Sequence, residues 1–201
     1  MSHHPEESLH DPTTCSGHHV DHEPSGLAED ALFESLPDGH LVKILMQEHQ
    51  KIRSHLDDLE GYIELLKLGN DDRQDLLRKI ESTGAALIAS EPHHRREEEI
   101  LFPELVSRGF VGPPSVMLAE HVQIRDLKKT VKEEATQLLK DDGDTFRLQA
   151  AANEIVGDMR EHMSKENNIL YPLAVSVIKD EALWADMRQR SDAIGYCCTG
   201  H

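Results

Sequence analysis

Two stretches of this chain are near copies of one another. Residues 93–103 read HHRREEEILFP and residues 162–172 read HMSKENNILYP, so both carry the pattern HxxxExxIL(F/Y)P. A His and a Glu four positions apart lie on one face of a helix, a turn from each other. That is a chelating pair, and it occurs twice. A second shared string stands ahead of each copy: LMQEHQKIR over 45–53 and MLAEHVQIR over 117–125. The chain is therefore a tandem of one unit, a helix with a central His followed by a helix with His and Glu. Two copies of such a unit predict a closed four-helix bundle rather than a solenoid.

The apolar positions support that architecture. Leu45, His49, Ile52, Leu56, Leu59, Ile63 and Leu66 step by fours and threes over a helix predicted at about 39–68, with His49 in the seam. Gly69-Asn70-Asp71 is read as its close and the opening of the next helix. That second helix, about 71–108, contains Pro92, which removes a ladder hydrogen bond and kinks the rod. A linker with Gly112, Pro113 and Pro114 leads to a third helix, about 115–140, with Met117, His121, Ile124, Val131, Ala135 and Leu138 inward. The fourth, about 144–178, carries Leu148, Ala152, Ile155, Met159, His162, Glu166, Ile169 and Leu173 in step. The expected organisation is a disordered acidic, His-rich tail over 1–35, an all-α up-down four-helix bundle over 36–179, and a short helix with a Cys-containing tail over 180–201.

Four His and two Glu remain to be explained. A lone His on an apolar stripe is more often a hydrogen-bonded core residue than a ligand. Four at repeated positions reverse those odds. Glu166 also falls on an apolar stripe, where an unpaired charge is costly. A metal resolves both problems. Imidazoles with carboxylates that can bridge two ions suit iron or manganese, and thiolates are absent from the predicted core.

The EHxxI helix, the HxxxEE…LFP helix and their duplication resemble the hemerythrin-like (HHE cation-binding) family over about 37–178. The resemblance implies a bundle holding two non-haem iron ions, oxo- or hydroxo-bridged. It implies His49, His93, Glu97, His121, His162 and Glu166 as metal ligands, with Glu97 and Glu166 as bridges. Oxygen-carrying members have a second His four residues after the third-helix ligand; here that position is Arg125. The set of four His and two Glu resembles instead bacterial di-iron proteins of iron–sulfur cluster repair and nitric oxide response. The implied ligand is a small diatomic or peroxide, bound or reduced in oxidative or nitrosative stress, or held by a non-catalytic sensor or iron-handling protein. Turnover and oligomeric state stay open. A ferritin-like carboxylate bundle is disfavoured, because its Glu-x-x-His pair occurs in the predicted bundle only at Glu91–His94.

The first copy has two readings. The stripe Leu77, Ile80, Gly84, Leu87 continues to Glu91, His94 and Glu98, whereas alignment with the second copy selects His93 and Glu97; Pro92 can shift the phase, so the alignment is preferred. Glu48 and Glu120 are expected as surface groups or supports of a ligand. Phe102 and Tyr171 are expected as pocket walls, with Tyr171 able to donate to a bound oxygen species. Arg53 and Arg125 are expected to form salt bridges.

Net charge is −17 over 201 residues. Residues 1–40 hold nine acids and no Lys or Arg. This balance argues against nucleic acid and anionic membrane surfaces. No apolar run approaches the roughly 20 residues needed to span a bilayer, and no secretory leader is visible, so a cytoplasmic location is expected. Cys15, Cys197 and Cys198 lie near the two ends and form no disulfide framework. With His18, His19, His22 and His201 they could hold a soft metal, but unconnected tails are the preferred reading.

Overall fold

The computed structural model describes residues 25–69, 72–141 and 143–197, and all regular structure among them is helical. Four long segments form the bundle. They are α2 (Leu41–Leu68), the run from α3 (Arg73–Ile88) through α4 (Glu91–Arg96) to α5 (Phe102–Ser107), α6 (Gly112–Leu138), and the run from α7 (Phe146–Lys165) to α8 (Tyr171–Val177). Neighbours α2–α3, α3–α6, α6–α7 and α7–α2 pack to close the ring. Helices α1 (Ser25–Ser35) and α9 (Glu181–Ile194) lie outside it.

Helix ends follow local chemistry. Gly69 takes the left-handed conformation, φ 67°, that closes α2. Asp72, rather than Asp71, caps α3 by accepting from the Gln74 and Asp75 amides. The His40 ring nitrogen caps α2 at the Val42 amide. Asp180 caps α9. Pro92 does not sit inside a continuous helix. The ladder breaks at Ala89 and Ser90, and Pro92 occupies the first turn of α4, where a missing N–H costs nothing.

The expected tail over 1–35 requires correction. Residues 25–35 form α1, whose Leu32 and Phe33 pack on the core and whose Glu29 pairs with Arg53 at 3.0 Å. Its polar composition hides a helix that packs only a few apolar side chains. A second difference lies at Ile169, expected inward but 58% exposed, while Leu170 and Tyr171 are buried. The reason is a π turn at Glu166–Leu170, matched by one at Glu97–Leu101. Each is closed by an i→i+5 bond, from the Phe102 amide to the Glu97 carbonyl and from the Tyr171 amide to the Glu166 carbonyl. The extra residue in the turn shifts the phase of everything after it. Pro103 and Pro172 follow at once and have no N–H to rebuild the α ladder.

The core is in two parts. One cluster, with Ile52, Leu56, Ile80, Ile124, Ile155 and Met159, fills one end of the bundle. The other, with Leu45, Met46, Leu101, Met117, Leu170 and Trp184, fills the other end. Between them every long segment places a polar side chain: His49, His93 with Glu97, His121, and His162 with Glu166, all buried. Among the described residues no helix is long and apolar enough to cross a membrane.

Close approach of α3 and α6 depends on Gly84. A Cβ there would meet the Cβ, Cα and N of Lys132 at 3.1–3.2 Å, mostly backbone that cannot swing away. Gly84→Ala gains up to about 1 kcal/mol of helix propensity. Overpacking costs about 1–3 kcal/mol. A net loss of stability is expected, read as a lower urea midpoint; an increase would show that the helices separate freely.

Candidate metal centre

The six repeated residues converge. The Nε2 atoms of His49 and His93 are 3.0 Å apart, and those of His121 and His162 are 2.9 Å apart. Glu166 lies across the two pairs, with Oε2 at 3.1 Å from His49 and Oε1 at 3.0 Å from His162 and 3.7 Å from His121. Glu97 Oε2 stands 3.5 Å from both His93 and His121. The structure therefore brings His93 and Glu97 to the centre, as alignment of the copies predicts. His94 and Glu98 have other places.

Each imidazole is oriented through its other nitrogen. His93 Nδ1 donates to Glu48 at 2.9 Å, and His162 Nδ1 to Glu120 at 2.7 Å. His121 Nδ1 donates to Glu98 at 2.7 Å, and His49 Nδ1 to Asn167 Oδ1 at 2.9 Å. Carboxylates only accept, so Nδ1 carries the proton and Nε2 presents a lone pair. The Asn167 amide is fixed in the same sense, because its Nδ2 donates to Glu29 at 2.6 Å. This is the arrangement that orients metal-binding imidazoles.

The supports obey the repeat. Glu48 and Glu120 each precede a central His but hold the His of the following helix, not their neighbour. Glu98 and Asn167 each follow the turn's first Glu and hold the central His of the other unit. Sequence reasoning placed Glu98 only as a rival ligand and missed Asn167. Their matching position after Glu97 and Glu166 was the available signal. Arg96, fully buried, was also missed; it pairs with both oxygens of Glu48. Tyr171 donates to Glu97 Oε1 at 2.7 Å, so its hydroxyl is engaged by a carboxylate. Phe102 stacks on His121 with ring centroids 5.9 Å apart. Arg125 bonds Glu91 and Glu98, and Arg53 bonds Glu29, as salt bridges.

The centre fits a cation and nothing else so well. Glu97 Oε2 and both oxygens of Glu166 are buried without a hydrogen bond. Burial lowers the His121 and His162 imidazoles, but the adjacent carboxylates, Glu166 first among them, outweigh it and raise both. Burial and the adjacent Glu166 push the Glu97 carboxyl well above its usual range. Burial, Glu166 and Glu97 push the Tyr171 phenol up as well, so it stays protonated. Burial pulls His93 down to about 4, against the Glu48 hydrogen bond, leaving it neutral as a ligand must be.

Residues 40–174 match the model of the hemerythrin HHE cation-binding domain. The chain belongs to that family. Membership implies a di-iron centre, and the buried His and Glu groups are positioned to hold it. Similar curated proteins include the iron-sulfur cluster repair protein YtfE of Yersinia pseudotuberculosis serotype O:1b (strain IP 31758). It is 30% identical over 140 residues, covering 66% of this chain and 63% of that protein. The same-named protein of Yersinia pestis (strain Pestoides F) is 29% identical over the same shares. The matched region thus spans under two thirds of these relatives' length.

Of the residues proposed for a terminal soft-metal site, only Cys197 is described. It is buried, and its amide donates to Glu48 Oε1 at 3.1 Å. Cys15, Cys198 and the four His lie outside the described residues.

Two outcomes follow for the supports. Glu48→Gln should weaken metal affinity by about 10–100-fold, measured by competition with a chelator; unchanged affinity would show that His93 is oriented without it. Burial raises the Glu98 carboxyl, but hydrogen bonds from His121 and Arg125 outweigh it and hold Glu98 at about 2. The stabilisation is complete above the ordinary value of 4.5 and is lost as pH falls towards 2. In metal-stripped protein, Glu98→Gln should therefore flatten the fall of stability below pH 4.5, followed by urea denaturation.

Proposed function

We propose that this chain is a non-haem di-iron protein that binds or reduces a small oxidant (dioxygen, peroxide or nitric oxide) in iron–sulfur cluster repair. His49, His93, Glu97, His121, His162 and Glu166 are its metal ligands. One observation carries the reading: four imidazole Nε2 atoms, each ring held through its Nδ1, and two buried carboxyls with three oxygens lacking a hydrogen bond converge in one layer between the core clusters. The names of the similar Yersinia proteins support the repair role.

The chain's own groups divide the work. Two imidazoles would hold each metal, His49 with His93 and His121 with His162. Glu166 reaches both pairs with different oxygens, and Glu97 sets one oxygen between them. Four Nδ1–H bonds keep all four lone pairs aimed inward. Tyr171 holds the remaining Glu97 oxygen and keeps a proton at the edge of the centre. Bound iron supplies redox electrons and coordination positions for a small ligand. Six protein side chains shared by two metals would leave room there for a small ligand.

Metal analysis with the visible spectrum tests the reading. Two irons per chain and an oxygen-to-iron charge-transfer band in air-exposed protein are expected. His121→Ala should hold fewer than two irons; full retention, or a zinc-only wild type, would sink the assignment. Reduced protein mixed with excess peroxide or nitric oxide should consume it repeatedly. A single stoichiometric adduct would identify a sensor instead.

A further inference from the structure

The two halves match at the ligands and their supports, but their surroundings differ. Ser90, His94 and Lys128 stand at the repeat positions of Met159, Met163 and Leu56. The supports are also covered unequally. Glu120 is 26% exposed at its side chain and accepts from Lys165, which is 33% exposed. Glu48 holds the same repeat position but is 3% exposed, and its partner Arg96, the counterpart of Lys165, is fully buried. The cover is the chain that follows α9. Gly195 turns that chain with φ 91°, and the next two residues lie over Arg96 and Glu48. The Tyr196 ring meets the Arg96 and Arg188 guanidinium groups at 4.7 and 4.9 Å. The Cys197 amide donates to Glu48 Oε1 at 3.1 Å.

This strap sets a thiol beside the support. The Cys197 sulfur lies within 4.8 Å of a Glu48 carboxylate oxygen and of a His93 ring nitrogen. Cys197 is buried, yet it belongs to neither apolar cluster of the core. A carboxylate, an imidazole and a guanidinium surround it, unlike an inert thiol packed among apolar side chains. It also lines a groove of about 260 Å³ with Gln47, Glu48, Gln50 and Lys51, which gives small solutes a way in. Arg96 is a second, independent sign that an acceptor belongs here. Its Nε donates to the Pro92 carbonyl and its Nη2 to Glu48, but its Nη1 is buried with no acceptor. Leaving such a donor unused costs about 1–3 kcal/mol.

We propose that Cys197 is a site of oxidation by hydrogen peroxide, and that its oxidation loosens His93 through Glu48. The sulfur attacks one peroxide oxygen as the O–O bond breaks. An S–O bond forms, sulfur gives up two electrons, and the thiol proton leaves with the other oxygen as water. The product is a sulfenic acid. Its oxygen is an acceptor, which Arg96 Nη1 lacks, and it competes with Glu48 for the guanidinium. Glu48 in turn holds His93 Nδ1 at 2.9 Å, so the modification reaches a ligand of the centre through two contacts. Among the described residues no cysteine stands beside Glu120, so the effect is confined to one half. The link to the metal rests on the di-iron reading; the oxidation itself does not.

The test uses the iron-loaded full chain carrying Cys15→Ser and Cys198→Ser, which leaves Cys197 as its one thiol. After hydrogen peroxide and then dimedone, peptide mass spectrometry should find the adduct at Cys197. Iron affinity, read by competition with a chelator, should fall about tenfold on the same treatment. Adding Cys197→Ser, a near-isosteric change that keeps the amide bond to Glu48, should leave iron affinity unchanged before and after peroxide. Folded, peroxide-treated protein with no adduct at Cys197 overturns the proposal. So does an adduct that leaves iron affinity untouched, or an equal loss of affinity in the Cys197→Ser protein. A chain that takes up no iron but still forms the adduct overturns the di-iron reading and leaves the oxidation site standing.

Discussion

Everything in this bundle is arranged around a buried layer of imidazoles and carboxyls. Four imidazole nitrogens and three carboxylate oxygens meet between two apolar clusters, and water is excluded on both sides. Such a layer is unfavourable in an empty protein, since buried acceptors without donors cost about 1–3 kcal/mol each. Metal binding converts the same atoms into the strongest contacts in the core. Folding and metal binding would then be coupled.

The repeat explains how a short sequence specifies so dense a site. Duplication of one helix pair gives two His and one Glu per unit, and antiparallel packing brings the units face to face. The same duplication sets the supports. Glu48 and Glu120 act within their own unit, while Glu98 and Asn167 reach across to the other. Each unit thereby positions one ligand of its partner, so neither half-site is complete alone. The π turns belong to this scheme. Ligand and cross-unit support are consecutive residues, Glu97 with Glu98 and Glu166 with Asn167, and the wider turn lets both point inward.

The bundle and the convergence of its repeated His and Glu were legible because they rest on local periodicity and on a close internal repeat. Spacing alone could not choose between His93 and His94, since the helix before Pro92 carries the stripe to His94. The break at Ala89 and Ser90 and the π turn after Arg96 rotate the phase, and only comparison with the second copy carried that information. Ile169 was misplaced for the same reason: a π turn has no signature in apolar periodicity. Helix α1 was missed because it packs few apolar side chains, Leu32 and Phe33 among them, and acts largely through polar contacts. Glu29 orients Asn167, which orients His49, and such a chain of hydrogen bonds leaves no hydrophobic pattern to read.

Departures from the repeat are as informative as its agreements. Where both halves must do the same thing, at ligands and supports, residue chemistry is kept: His for His, Glu for Glu, and Asn167 for Glu98 as another acceptor. Where the halves pack ordinary core, Leu56, Met159 and Met163 show what the fold itself requires. Ser90, His94 and Lys128 are not required by that fold, because the other half manages without them. Their burial is costly, and His94 stacks on His121 with ring centroids 4.1 Å apart. The matching His and Glu pairs are thus set in unlike surroundings, one beside a buried hydroxyl, imidazole and ammonium and the other beside apolar side chains.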